Sequence, residues 1–239
     1  PLLGGTDLAL ASTGNGGSEA TQLREQTSFW IAREMGIGYL HRRSIRLYRN
    51  GSLHRDVTED SEEPNGDYAE RFYSEGDHPD LYKIEDWFEF QDNGTSFNNV
   101  DARLQRYTTL NNELKLARYR WSWRKRAVRD SANDYSNLLE LVETVNTGGS
   151  AYEDRVLNSV DVDNWMRTFA FQRICGNWDS YGFSRGKNMY AYKRDGAPWR
   201  LFSWDVDFTL GSGSSANDSL WGANDPTINR MYDTPTFRR

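Results

Sequence analysis

Residues 174–211 read ICGNWDSYGFSRGKNMYAYKRDGAPWRLFSWDVDFTLG. Upstream, Asp161 stands as an N-cap before Val162, Trp165, Met166, Phe169 and Ile174, which recur as one apolar face of a helix that Gly176 ends. Downstream, two apolar runs at 188–193 and 199–204 read as strands, joined through Asp195-Gly196-Ala197-Pro198. A helix end, a glycine-bearing loop and a hairpin can therefore bring three parts of the chain together. Asp179 falls on the loop, Asn188 at the start of one strand, and Asp205 and Asp207 at the end of its partner. Alternating by two, these last are expected on one side of a strand, where paired like charges favour a cation.

The elements outward from this stretch are mixed. Residues 11–18 are a loop by composition, and Ser18 is expected to cap a helix over 19–35, with Glu19 in its first turn. Leu23, Thr27, Trp30 and Ile31 mark its apolar face and Gly36 its stop. Ser44–Arg49 alternates in period two and runs into Asn50-Gly51, a hairpin signal. Residues 59–67 are expected as an acidic loop and 80–84 as a short strand. The segment 101–129 reads as helical and basic, with Arg118, Arg120, Arg124, Lys125, Arg126 and Arg129 among Tyr119, Trp121 and Trp123. Nucleic acid is one reading of such a stretch. A helix whose aromatics face the core and whose arginines pair with acids is the other, and is preferred because the chain as a whole is acidic. A short amphipathic helix over 138–145 ends at Thr147-Gly148-Gly149. The sum is an α+β fold in one unit spanning 1–239, with no internal repeat and no convincing linker.

Composition sets the limits. The chain has 239 residues, enough to bury a core without disulfides or structural metal. Its 9 Trp, 13 Tyr and 11 Phe make a globular composition although only 37% is apolar. No run approaches a membrane span. With 29 Lys and Arg against 35 Asp and Glu, the net charge of −6 argues against a polycation for DNA or anionic lipid. Cys175 alone allows no intrachain disulfide, and His41, His54 and His78 are too dispersed for an expected histidine metal site. The chain begins at Pro1 without a signal-peptide pattern and is expected to be a piece of a longer protein.

Two carboxylates and an amide oxygen are hard ligands suited to Mg²⁺, which leaves its other positions to water and substrate phosphates. Phosphoryl transfer uses this kit: one Asp near the acceptor hydroxyl, and an Asn and a second Asp on metal.

The ordered set of motifs resembles the CotH kinase family of secreted or spore-coat atypical protein kinases, over roughly residues 19–239. It is carried by Arg33-Glu34-Met35-Gly36, Ile45-Arg46-Leu47-Tyr48 before Asn50-Gly51, and Asp80-Leu81-Tyr82-Lys83. Gly176-Asn177-Trp178-Asp179-Ser180, Asn188-Met189-Tyr190-Ala191-Tyr192 and Trp204-Asp205-Val206-Asp207 complete it. The resemblance implies a divergent, kinase-like two-lobed fold with antiparallel hairpins and a helical larger lobe. It also implies binding of ATP with Mg²⁺ or Mn²⁺, phosphorylation of Ser or Thr on a protein substrate, and a secreted or cell- or spore-surface setting. By position, Asp179 matches the catalytic aspartate and Asp205 a metal ligand, with Asn188 and Asp207 as further metal candidates. Lys83 is the candidate phosphate-binding lysine, and Tyr82 and Trp199 the aromatics expected against adenine. After the Asn-Gly turn the family shows Gly-x-Tyr-x-x-x-Glu; here His54–Glu59 is two residues short and keeps only Glu59, the residue expected to position the lysine. A surface adhesion module that keeps the fold without turnover is the alternative.

Overall fold

The computed structural model describes residues 9–11, 21, 23–72, 80–90, 97–128, 131–213 and 215–238. The expected Ser18 cap, the loop over 12–18, His78 and Arg129 lie outside these. β1 (Ala9–Ala11), β2 (Arg42–Arg49) and β3 (Ser52–Ser61) form a sheet in the order β1-β3-β2. β4 (Asp80–Ile84), β7 (Trp123–Ala127), β8 (Met189–Lys193) and β9 (Arg200–Ser203) form a second, in the order β7-β4-β8-β9, and β5 (Trp87–Phe90) pairs with β6 (Phe97–Val100). Every named pairing is antiparallel. Between the strands run α1 (Arg24–Glu34), α2 (Gly66–Phe72), α3 (Leu116–Ser122), α4 (Ser136–Val145), α5 (Tyr152–Ser159), α6 (Val162–Cys175) and α7 (Pro226–Asp233), an α+β arrangement. Among the described residues no helix is long and apolar enough to cross a membrane.

The β2–β3 turn forms as its dipeptide demands: Asn50 and Gly51 both take positive φ, 53° and 80°, which matches strand twist in a two-residue hairpin. The expected acidic loop at 59–67 is instead strand up to Ser61. Glu59 and Asp60 are buried there because β2 supplies their partners, Arg43 directly opposite Asp60 and Arg42 diagonally to Glu59, each at 2.8 Å.

The four-stranded sheet packs apolar side chains on both faces, with the basic strand β7 at its edge. Tyr82, Ile84, Met189, Ala191 and Leu201 pack with α4, α5 and α7 on one face. Leu81, Tyr190, Tyr192 and Phe202 pack with Phe29 and Ala32 of α1 and Tyr68 of α2 on the other. α6 serves both: Trp165 and Phe169 enter the first cluster, Phe171 and Cys175 the second. The single apolar face expected for it is therefore half right, and Ile174 is 63% exposed. Its ends are as expected, since the Asp161 carboxylate accepts from Asn164 N–H at 3.1 Å and Gly176 closes the helix in the left-handed region.

Two further expectations are corrected. In α1 the buried side chains are Ser28, Phe29 and Ala32, while Leu23 and Trp30 are exposed; the helix begins only at Arg24 and turns a different stripe inward. The basic segment 101–129 is not one helix, because α3 gives way at Trp123 to strand β7, captured by the open edge of β4. Its charges are spent as structure. Lys125 pairs with Asp80 at 2.9 Å, Arg124 with Glu85 at 2.8 Å and Arg126 with Glu63, while Tyr119 and Trp123 are core.

Candidate functional site

The last turn of α6 fastens both halves of the 174–211 stretch. Gln172 accepts from Asn177 Nδ2 at 2.7 Å and donates to Ser203 Oγ at 2.8 Å, all three buried. One amide thus ties the loop bearing Asp179 to the strand end that precedes Asp205. Such bonds are worth about 1 kcal/mol each, and more is lost when a buried partner is orphaned. Ser180 Oγ donates to Asn177 O at 2.7 Å, and Trp178 packs on Phe208 while its indole N–H reaches Ser212 O at 2.8 Å. The Gly-Asn-Trp-Asp-Ser run is thus a clamp whose Asp is the member left for chemistry.

Asp179 is only 4% exposed. Its Oδ2 accepts from Asn188 Nδ2 at 3.1 Å and meets Lys187 Nζ at 3.0 Å. Asn188 Nδ2 also donates to Asp179 O at 2.9 Å. Oδ1 is buried without a hydrogen-bond partner, and Arg185 Nη1 lies 4.0 Å from it. One carboxylate oxygen is therefore fixed and the other free, the arrangement of an oriented base.

Asn188 and Asp205 both stand in the left-handed region, with φ of 57° and 51°, among the few described non-glycine residues that do. Asn and Asp visit it at least cost, and such strain is held where surrounding contacts over-determine it. Here those contacts are Trp204 N–H to Asn188 O at 3.2 Å, buried Val206, and Thr209 Oγ1, which donates to Val206 O and meets Ser28 Oγ at 2.9 Å. β9 ends at Ser203, so the expected strand alternation of Asp205 and Asp207 does not exist. Their proximity comes from the turn instead. Burial first, and then Asp205 and Asp179, push Asp207 up to about 6. Burial also raises Asp205, against the pull of Arg42, Lys187 and Lys83 and with the push of Asp179.

Asp205 and Asp207, both raised by burial and by the charge of Asp179, and two buried oxygens lacking any hydrogen bond (Asp179 Oδ1 and Asp207 Oδ1), fit a divalent cation. Among the described residues no group of three His, Cys, Asp or Glu is placed to hold a metal ion by itself. Mg²⁺ needs only one or two carboxylates and takes the rest from water and phosphate.

Lys83 reaches this region from β4: its charge acts on Asp205, and its ammonium lies 5.7 Å from the centroid of the Trp204 ring. Glu59 is not its partner. Lys83 pairs with Glu85 on its own chain segment, whereas Glu59 pairs with Arg42, which is also 2.7 Å from Glu25. Tyr82 and Trp199 do not join the site. They pack against each other in the core, ring centroids 5.5 Å apart and both closed to solvent, on the sheet face opposite Lys83.

Sequence reasoning missed Glu25, Arg42, Gln172 and Lys187. Only Lys187, directly before Asn188, carried a local signal. Glu25 is pushed up to about 7, by burial first and then by Glu59, Asp205 and Asp207, against Arg42. A carboxyl raised on folding takes up a proton, so its stabilisation is full below about 4.5 and is lost as pH rises through 7. In chelator, the unfolding free energy of the wild type is therefore expected to fall between pH 5 and 8. Glu25→Gln should flatten that fall; denaturant titrations with equal slopes in both proteins would refute it.

A cavity of about 660 Å³ lies apart from these carboxylates, on the outer side of α6, lined among others by Leu157, Met166, Ile174, Leu220 and Trp221. A search of the curated proteins returns no match to this sequence. The family model described as CotH kinase protein matches residues 1–239, the whole chain, and with the motif residues gathered as above the chain belongs to the CotH kinase family.

Proposed function

We propose that this chain is an atypical protein kinase of two-lobed, kinase-like build, transferring the γ-phosphoryl group of ATP to a Ser or Thr hydroxyl of a protein substrate. The observation that carries this reading is the buried Asp179, with one oxygen held by Asn188 and Lys187 and the other free, beside mutually repelling Asp205 and Asp207. In this reading Asp179 Oδ1 accepts the hydrogen bond of the acceptor hydroxyl and orients it. Asp205 and Asp207 hold Mg²⁺ or Mn²⁺, with Asn188 steadying Asp179 next to them. The metal, when bound, neutralises charge on the phosphate oxygens. Lys83 supplies a further positive charge at the phosphates from the β4 side. The setting proposed with it, suggested by the resemblance, is a cell or spore surface or the cell exterior, with a protein acceptor there.

The test needs no acceptor. Calorimetric titration of ATP is expected to show saturable binding with Mg²⁺ and none in chelator, and prolonged incubation to yield ADP rather than AMP. No binding by the folded protein would sink the proposal, and AMP would move it to nucleotidyl transfer. A second reading, a surface interaction module, draws on the apolar cavity beside α6, with Ile174, Leu220 and Trp221 exposed at it. It predicts partner binding that survives loss of Asp179.

A further inference from the structure

The positive charges around the two aspartates are not equivalent. Arg42 has only 4% of its side chain exposed and is held between Glu25 and Glu59, at 2.7 and 2.8 Å. Arg185 is shared by Asp86 and Asp101, at 2.7 and 3.1 Å, and comes no nearer to Asp179 than 4.0 Å. Lys83 is paired with Glu85. Lys187 differs in its partner: its ammonium is 3.0 Å from Asp179 Oδ2, with 23% of its side chain open to solvent. Its charge also pulls on the carboxyl of Asp205. Of these four cations, Lys187 is the one in direct contact with the carboxylate assigned to the acceptor.

The backbone under Lys187 is fixed on both sides. Lys187 O accepts from Tyr181 N–H at 2.8 Å, and Gly186 O accepts from Ala102 N–H at 3.0 Å. Gly186 lies so close to Ala102 that a Cβ there would come within 2.3 Å of the Ala102 carbonyl oxygen. Asn188, next in the chain, is locked left-handed. A lysine on so rigid a base directs its flexible stem into one small volume, which suits a point charge for phosphate.

On the reading that the site transfers phosphoryl groups from Mg-ATP, we propose that Lys187 contacts the phosphoryl group in flight and neutralises the charge building on its equatorial oxygens. The acceptor oxygen forms its bond to the γ-phosphorus as the bond from that phosphorus to the β–γ bridging oxygen breaks. The bridging oxygen keeps the electron pair and leaves as ADP, and the acceptor's proton passes to Asp179. In the resting site Lys187 is parked on Asp179 Oδ2; during transfer its ammonium also spans to the phosphoryl oxygens, so its contribution is larger in the transition state than in the ground state.

The test compares wild type with Lys187→Met, which keeps the stem, and Lys187→Arg, which keeps the charge, both checked for an unchanged unfolding midpoint. Calorimetry measures Mg-ADP binding with and without aluminium fluoride, the planar mimic of the group in flight, and ADP formation from Mg-ATP gives the rate. Lys187→Met is expected to bind Mg-ATP within about 3-fold of wild type, yet to lose the added affinity for the fluoroaluminate complex and roughly 10²–10³-fold in rate. Lys187→Arg should recover part of both. A Met variant that keeps the fluoroaluminate gain and the rate would overturn the proposal, leaving Lys187 a plain ion-pair partner of Asp179. A rate loss matched by an equal loss of Mg-ATP affinity would overturn it too, as uniform binding. Failure of the kinase reading itself is seen separately, in wild-type protein that binds no Mg-ATP.

Discussion

Asp179→Asn is expected to bind Mg-ATP at least as tightly as the wild type and to form ADP roughly 10²–10⁴-fold more slowly, the range spanned by a single positioned base. The substitution is close to isosteric, and its amide oxygen can still accept from Asn188 Nδ2, so the loop from 177 to 188 keeps its main tether. What changes is the free oxygen. In the wild type Asp179 Oδ1 is buried with no hydrogen-bond partner, a costly state that an acceptor O–H relieves. An Asn cannot take the acceptor's proton at either atom, and with its amide nitrogen at that position it would present a donor to a donor. It also removes the negative partner of Lys187, 3.0 Å away, and frees that ammonium for the nucleotide. Single-turnover ADP formation and calorimetric ATP titration separate the two effects. A rate within a few-fold of wild type would mean that Asp179 is a structural turn residue. Retained binding of a surface partner by the same variant would favour the interaction-module reading instead.

How far the sequence could carry this site is visible in adjacent residues. The sequence resemblance sends both Tyr82 and Lys83 to the nucleotide, but neighbours in a strand point to opposite faces, and only Lys83 faces the aspartates. That much was legible from β4 alone. Asp205 and Asp207 were paired by the same period-two rule, which fails because the strand stops at Ser203 and Asp205 turns left-handed. Nothing in the local sequence marks that turn; it is imposed by Thr209, Ser28 and the buried Val206. The α6 caps, the Asn-Gly hairpin and strands β4, β8 and β9 were readable because each rests on local signals: a cap, a turn dipeptide, an apolar run. The exposed face of α1 and the strand at 123–127 were not, since tertiary packing chose among faces that propensity left nearly equal. Long-range pairs such as Arg42 with Glu25 and Glu59, or Gln172 with Ser203, have no signature in one sequence.

Asp205→Asn is expected to lose Mg²⁺-dependent ATP binding by roughly 100-fold or more, since a direct metal contact is worth several kcal/mol, and at the same time to stabilise the protein without ligand. Both effects follow from one fact: Asp205 is a carboxyl that the fold buries beside Asp179, in a backbone conformation that costs energy. Neutralising it relieves the like-charge push on Asp207, whose carboxyl should then fall from about 6 toward its usual range. Asn is the informative substitution because it tolerates the left-handed region, whereas Ala at φ 51° would add about 1–2 kcal/mol of backbone strain and blur the comparison. Thermal unfolding near neutral pH reads both effects together. The wild type should start lower and rise on addition of Mg-ATP, because a ligand that binds only the folded state raises the midpoint. Asp205→Asn should start higher and barely move. A variant destabilised without ligand would show that Asp205 supports the fold, and a variant whose midpoint rises with Mg-ATP as the wild type's does would remove Asp205 from the metal site. The pattern expected here is that of a residue kept for binding at the expense of stability, and it distinguishes a site built around a cation from an acidic turn that happens to be buried.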